Sequence, residues 1–300
     1  MLLNTDLLPR LESLSLVVRR VRAGQTVGER RSTRRGSSVE FADYRDYTQG
    51  DDLRRVDWNI YARLERPYVK LFEEEEDLAV HLLLDGSASM DWGGSSEQED
   101  GAEQNKWRYA RQLAAAIGYV ALLSGDRLTI STLRSSSIQA RFGPVRGQGH
   151  TLRMFEWLEM QAAHGATDLN AALRTYAITG GRAGLVMVLS DLFSPSGYAD
   201  GLTALAAHGH EVVVMHLLSP DEISPPLGGD LRLLDVETGD SQEVTIDGGM
   251  RTLYHRRVEA WREEIRRLCR SRDMHYLPLV TDCPFDRVVL YDLRRAGVVR

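Results

Sequence analysis

From Leu78 to the end of the chain, continuous apolar runs alternate with segments of helical periodicity. The runs lie at about 78–85, 127–135, 184–191 and 211–218, with a late one near 275–280. Apolar residues at consecutive positions mean that both faces of a strand are buried, as in a parallel α/β sheet. Helices are predicted between them, at about 105–124, 150–163, 169–179, 198–208, 250–272 and 284–296. In the helix over 250–272, Tyr254, Val258, Trp261, Ile265 and Leu268 recur at helical spacing and define one buried face. Leu231–Val236 and Glu243–Ile246 flank Thr238-Gly239-Asp240, the pattern of a β-hairpin. The fold class expected is therefore α/β, a doubly wound, mostly parallel sheet with helices on both faces. The expected organisation has three parts. Residues 1–38 form an N-terminal helix and a mobile basic stretch, residues 39–76 an aromatic and charged segment packed on the core, and residues 77–300 the main domain.

Composition narrows the function. The net charge of −6 makes no general case for nucleic-acid binding. Charge is uneven, however: seven arginines fall between Arg19 and Arg35, while acid gathers at Glu73–Asp77 and Glu97–Glu103. Few aromatics interleave with those arginines, so a solvated arm is the expected role of 19–35 and no nucleic acid is expected. Two cysteines, Cys269 and Cys283, make neither a disulfide framework nor a metal-spaced cluster, and a cytoplasmic setting is expected. No signal peptide is evident. The longest uncharged apolar stretch, Gln112–Gly125, is shorter than the roughly 20 residues of a membrane span. Lysine occurs only at Lys70 and Lys106, and neither follows a glycine, so there is no phosphate-binding Gly-Lys-Ser/Thr loop. The eight histidines are scattered apart from His208 and His210, and read as packing residues.

The candidate chemistry sits at strand ends. The first long apolar run finishes in Asp85-Gly86-Ser87-Ala88-Ser89, one carboxylate followed by hydroxyls at alternate positions. Oxygen donors without cysteine or histidine suit a hard cation such as Mg²⁺ (or Mn²⁺). Asp191 ends a second run, and Thr167 lies in Gly165-Ala166-Thr167-Asp168 just before a helix. In a doubly wound sheet these positions share the edge at the carboxyl ends of the strands. Taken singly, Asp85 reads as a turn residue and Thr167 or Asp168 as a helix cap.

As a set, Asp85, Ser87, Ser89, Thr167 and Asp191 resemble the metal-ion-dependent adhesion site of von Willebrand factor A domains. The resemblance implies a bound Mg²⁺ or Mn²⁺, three neutral hydroxyl ligands, and a partner protein whose acidic residue completes the metal's shell without any reaction. The alternative is a metal-dependent phosphohydrolase or nuclease using Asp85, Asp168 and Asp191. A phosphoaspartate phosphatase would need an Asp where Ser87 stands, and Asp85-Gly86-Ser87-Ala88-Ser89 is not a serine-hydrolase elbow.

The second signature runs from Val39 through Tyr44-Arg45-Asp46-Tyr47 and Gly50-Asp51-Asp52-Leu53-Arg54-Arg55-Val56-Asp57-Trp58 to Arg63, and on through Tyr68–Glu75. With the Asp-x-Ser-x-Ser site it resembles the bacterial domain-of-unknown-function-58 family, from about residue 36 onward. That resemblance implies a von Willebrand A-like domain and a MoxR-type AAA+ ATPase as partner, hence an adaptor or chaperone-like role. Many such relatives carry N-terminal membrane helices, for which this chain shows no apolar stretch. Arg54, Arg55 and Arg63 have the chemistry to pair with Asp43, Asp46 or Asp57. The segment reads either as a rigid pack anchored by Trp58 or as a docking surface of Asp51, Asp52, Arg54, Arg55, Asp57, Trp58 and Arg63.

Overall fold

A computed structural model describes residues 2–18, 39–48, 51, 56–74, 78–93, 105–226, 228–234 and 241–300. The basic stretch 19–35, the acidic run 97–103, the turn Thr238-Gly239-Asp240, and Asp52, Arg54 and Arg55 lie outside the described residues. The chain divides into two compact units, residues 1–21 with 78–300, and residues 22–77.

Over residues 2–18 the N-terminal segment makes short turns in place of one helix. It makes one 3-10 turn at Thr5–Leu7 and one helical turn, α1 (Leu8–Leu11), with Pro9 in that first turn. Leu2, Leu3, Leu7, Leu11 and Leu14 are buried in the main core, and Leu16 bridges to Val299 near the other end of the chain. Six buried leucines among the first sixteen residues hide too much apolar surface to stand apart, so this segment belongs to the main unit.

The smaller unit contains β1 (Val39–Asp46), α2 (Trp58–Leu64) and β2 (Tyr68–Glu74), the strands pairing antiparallel with a register shift between Phe41 and Asp43. Asp57 caps α2, accepting from the amides of Asn59 and Ile60 at 2.9 and 3.2 Å and from the Tyr44 hydroxyl at 3.1 Å. Trp58 is 57% exposed, so it does not anchor this unit, and its ring instead meets Tyr61 edge-on.

The main unit continues with β3 (Ala79–Asp85), α3 (Lys106–Leu123), β4 (Arg127–Arg134), β5 (Ser137–Arg146), α4 (Thr151–Met160), α5 (Leu169–Thr179), β6 (Leu185–Ser190), α6 (Ala199–Ala207) and β7 (Glu211–Leu218). There follow α7 (Pro220–Ile223), the antiparallel pair β8 (Gly229–Leu234) and β9 (Ser241–Ile246), α8 (Gly248–Ser271) and β10 (His275–Val280). It closes with α9 (Phe285–Arg287), a π-helical turn (Val288–Asp292) and α10 (Leu293–Arg295).

Six strands form one sheet in the order β10-β7-β6-β3-β4-β5, all parallel except β5, which returns antiparallel along β4. Alternation along β3 explains the two cores. Val80, Leu82 and Leu84 face one cluster with α3 and α4, while Leu83 faces another with α5, α6 and α8. The sheet is thus doubly wound, with helices on both faces. From β3 the chain moves to β4 on one side, then returns to β6 on the other, so the winding reverses between β3 and β6. A crevice outside the strand ends opens at such a switch point. Among the described residues no helix is long and apolar enough to cross a membrane.

Candidate functional site

Asp85 ends β3 and Asp191 directly follows β6, so neighbouring parallel strands deliver two buried carboxylates to the switch point. Both side chains are held the same way. Asp85 Oδ1 accepts from the Ser87 amide at 3.1 Å, and Asp191 Oδ1 accepts from the Phe193 amide at 3.0 Å. These are Asx turns, which fix a carboxylate against its own backbone. Ser190 joins the two, donating its hydroxyl to Asp85 Oδ2 at 2.6 Å and accepting the Leu192 amide at 2.9 Å. Leu192 has φ +59°, a left-handed conformation that a non-glycine residue adopts only under constraint. Burial first, then the charge of Asp191, push the Asp85 carboxyl up to about 6.

The hydroxyls arrive on two loops. Ser87 Oγ and Ser89 Oγ lie 3.0 Å apart, Ser87 buried and Ser89 half-buried. Thr167 is delivered by a stitched loop. The Ala88 amide donates to Gly165 O at 2.7 Å, the His164 amide to Gly86 O at 2.9 Å, and Ser135 at the end of β4 bridges to Thr167. Gly86 leaves room for this approach, because a Cβ there would lie 2.8 Å from Thr132 Cγ2 and 3.0 Å from Leu133 O. Thr167 is 3% exposed, and its Oγ1 is buried with no hydrogen-bond partner among the described residues. Native proteins rarely leave a buried hydroxyl unpaired, and an ordered water or a metal ion would pair this one.

Hydroxyl and carboxylate oxygens are the donor types that a small hard cation takes. Ser87 Oγ and Ser89 Oγ are hydrogen-bonded to each other at 3.0 Å, a spacing that also matches two adjacent vertices of an octahedron with bonds of about 2.1 Å. The carboxylate oxygens of Asp85 and Asp191 keep a lone pair beyond these hydrogen bonds, enough to accept from coordinated water. Among the described residues no three carboxylate, imidazole or thiolate groups gather as a metal cluster, so hydroxyls dominate the donors. Asp168 stands apart from the set. It caps α5 through the Ala171 amide at 2.9 Å and accepts the Ser196 hydroxyl at 2.6 Å, contacts that hold its carboxyl below the usual range.

Four participants were not legible from sequence. Besides Ser190, the side chain of Lys106, the first residue of α3, is wholly buried. Its Nζ lies 2.6 Å from Asp191 Oδ2 and 2.5 Å from Glu222 Oε1. Glu222 belongs to α7, where Ser219 and Glu222 make a reciprocal capping box. Burial raises the Glu222 carboxyl above its ordinary value, with Lys106 opposing. Beneath Asp191, His216 Nε2 faces the Asp191 carbonyl at 3.1 Å while Nδ1 meets the Tyr276 hydroxyl at 2.9 Å. Burial, then the charge of Arg262, depress that imidazole to about 3, so it is neutral. The proton belongs on Nε2, donated to the carbonyl.

In the smaller unit, Asp51 accepts from Arg45 Nη2 at 2.8 Å and from the Thr48 amide and hydroxyl at 2.8 and 3.0 Å. The Thr48 amide first, then Arg45, lower its carboxyl to about 2. Asp57 is spent on capping α2, and Trp58 and Arg63 are exposed on that helix.

Fold and site together define a doubly wound α/β protein with a hydroxyl- and carboxylate-lined site at its switch point. The model of the DUF58 family, proteins of unknown function, matches residues 43–264, and the chain belongs to that family. The uncharacterized proteins Mb1516 of Mycobacterium bovis and Rv1480 of Mycobacterium tuberculosis are each 31% identical over 277 residues, covering 91% of this chain and 84% of theirs. Among solved structures, the conserved hypothetical protein BatB from Bacteroides thetaiotaomicron aligns at TM-score 0.43 and 14% identity, covering 73% of this chain and 98% of its own.

Proposed function

We propose that the chain is a non-catalytic protein-binding module whose switch-point site is a von Willebrand A-type metal-ion-dependent adhesion site. Ser87, Ser89 and Thr167 would hold Mg²⁺ or Mn²⁺ directly, and Asp85 and Asp191 would hold its water. The bound ion supplies an electrophilic position for a carboxylate of a partner protein. The observation that carries this reading is the orphaned Thr167 hydroxyl, buried on a loop stitched to the one bearing Ser87 and Ser89. A site with few direct carboxylates leaves the ion unneutralised and ready for an acidic partner. By resemblance, the partner is a MoxR-type AAA+ ATPase and the role adaptor-like or chaperone-like. The thiols of Cys269 and Cys283 are both free, which accords with a reducing, cytoplasmic setting.

The hydrolase alternative needs several carboxylates facing the ion. Asp168 is taken up by capping and by Ser196, which weighs against it. The deciding experiment is calorimetric titration of Mg²⁺ and Mn²⁺ into the protein and its Asp85→Ala form, followed by binding of a MoxR-type ATPase with and without chelator. One-site metal binding lost in Asp85→Ala, with ATPase binding lost in chelator, is the expected result. ATPase binding indifferent to both would overturn the proposal.

A further inference from the structure

A buried lysine beside a proposed cation site needs a role. The Lys106 ammonium sits between Asp191 Oδ2 at 2.6 Å and Glu222 Oε1 at 2.5 Å, and its side chain is 0% exposed. It also lies 5.2 Å from the centroid of the Phe193 ring. Of its three donors, two are committed to carboxylates. Asp85, Asp191 and Glu222 against one ammonium leave a formal excess of two negative charges, the charge of one divalent cation. Lys106 thus shares a carboxylate with the metal proposed above. It neutralises Asp191 when that metal is absent and repels it when present.

We infer that Lys106, held by Glu222, sets the affinity of this site for divalent metal, keeping the metal-free protein folded while holding binding weak enough for release. This rests on the metal reading. The ammonium and a divalent ion interact with the same carboxylate in a buried setting, where one unit charge a few ångströms away changes affinity by at least about tenfold. Glu222 acts in the opposite sense. It screens the ammonium from the metal, so removing its charge exposes the metal to the full repulsion of Lys106. The pair also links the start of α3, the end of β6 and α7 at one edge of the sheet.

The test compares Lys106→Met and Glu222→Gln with the unaltered protein, reading Mg²⁺ and Mn²⁺ affinity by calorimetry and Tm in chelator and in excess metal. Lys106→Met should bind metal at least about tenfold more tightly. It should also unfold at lower temperature in chelator and recover more in metal. Glu222→Gln should bind more weakly, since its amide keeps the shape of the α7 cap while losing the charge. Opposite signs from two contacting residues exclude a merely structural effect, which would weaken binding in both. Unchanged or equally weakened affinity in both variants, with normal binding by the unaltered protein, would overturn the inference alone. Absence of metal binding in all three proteins would overturn the metal reading with it. If Lys106→Met does not fold, Lys106→Gln, which removes the charge and keeps a polar chain, takes its place, and tighter or weaker metal binding by it decides.

Discussion

Replacing Thr167 with Val separates a ligand from a structural hydroxyl by the sign of its effect. Valine keeps the branched shape and removes one buried oxygen. If Thr167 Oγ1 serves only the fold, it needs a partner, and none is present among the described residues. An unsatisfied buried hydroxyl costs about 1–3 kcal/mol, so in chelator Thr167→Val should be more stable by about 1–2 kcal/mol. For a domain of this size that raises Tm by about 2–6 °C. In Mg²⁺ the variant should lose its metal-dependent stabilisation, because one of three direct hydroxyl donors is gone. The assay is thermal unfolding in chelator and across a Mg²⁺ series, with calorimetry for affinity. A variant less stable in chelator, yet with unaltered Mg²⁺ affinity, would refute the reasoning and return Thr167 to the role of a buried helix-approach residue.

Three other outcomes follow from packing and protonation. His210 is buried, accepts the Gly184 amide on Nδ1 at 3.3 Å, and has its pKa lowered from 6.5 to about 4 by burial and then by His81. The unfolded chain therefore takes up the proton first as pH falls. This contribution is complete above about pH 6.5 and is lost down to about pH 4, some 3 kcal/mol in all. Urea midpoints between pH 7.5 and 4.5 should fall accordingly, less steeply in His210→Gln, and a flat profile would contradict this. Gly86→Ala forces contact with Thr132 and Leu133, so a loss of about 1–3 kcal/mol with impaired metal binding is expected, and wild-type values for both would count against the packing described. Leu11→Ala should cost about 2–5 kcal/mol by denaturant unfolding, since Leu11 is 0% exposed in the main core; a negligible change would mean that the N-terminal segment is dispensable.

Strands β3, β6 and β7 were legible in the sequence because burial on both faces writes itself as an unbroken apolar run. The edge strand β5 escaped notice for the same reason inverted. It is mostly exposed on alternate positions, carries Arg141 and Arg146, and contains Gly143-Pro144, so locally it reads as a loop. β1 and β2, rich in charge, lacked the pattern as well. Within the site, Asp85 and Asp191 were visible because a carboxylate closing an apolar run is conspicuous. Lys106 was not, because its partners stand 85 and 116 positions away. Its burial depends on the start of α3, the end of β6 and α7 meeting, and a lysine opening an amphipathic helix ordinarily points to water.

The way the two aspartates are held bears on how the site would work. Each is fixed by an amide two residues on, and Asp85 also by Ser190, so neither depends on a metal for its orientation. Lys106 supplies the counter-charge for Asp191 from within the chain. The loops bearing Ser87 and Thr167 are stitched by backbone hydrogen bonds. A site so constructed is ordered before any ion arrives, and little conformational entropy is lost on binding. Chelation should then leave the fold intact and lower Tm only by the mass-action share that the metal contributes. A protein that unfolded cooperatively on chelation would instead place the metal among the elements that hold the sheet edge together. The weakly held, exchangeable ion that a reversible docking module requires could not be reconciled with that result.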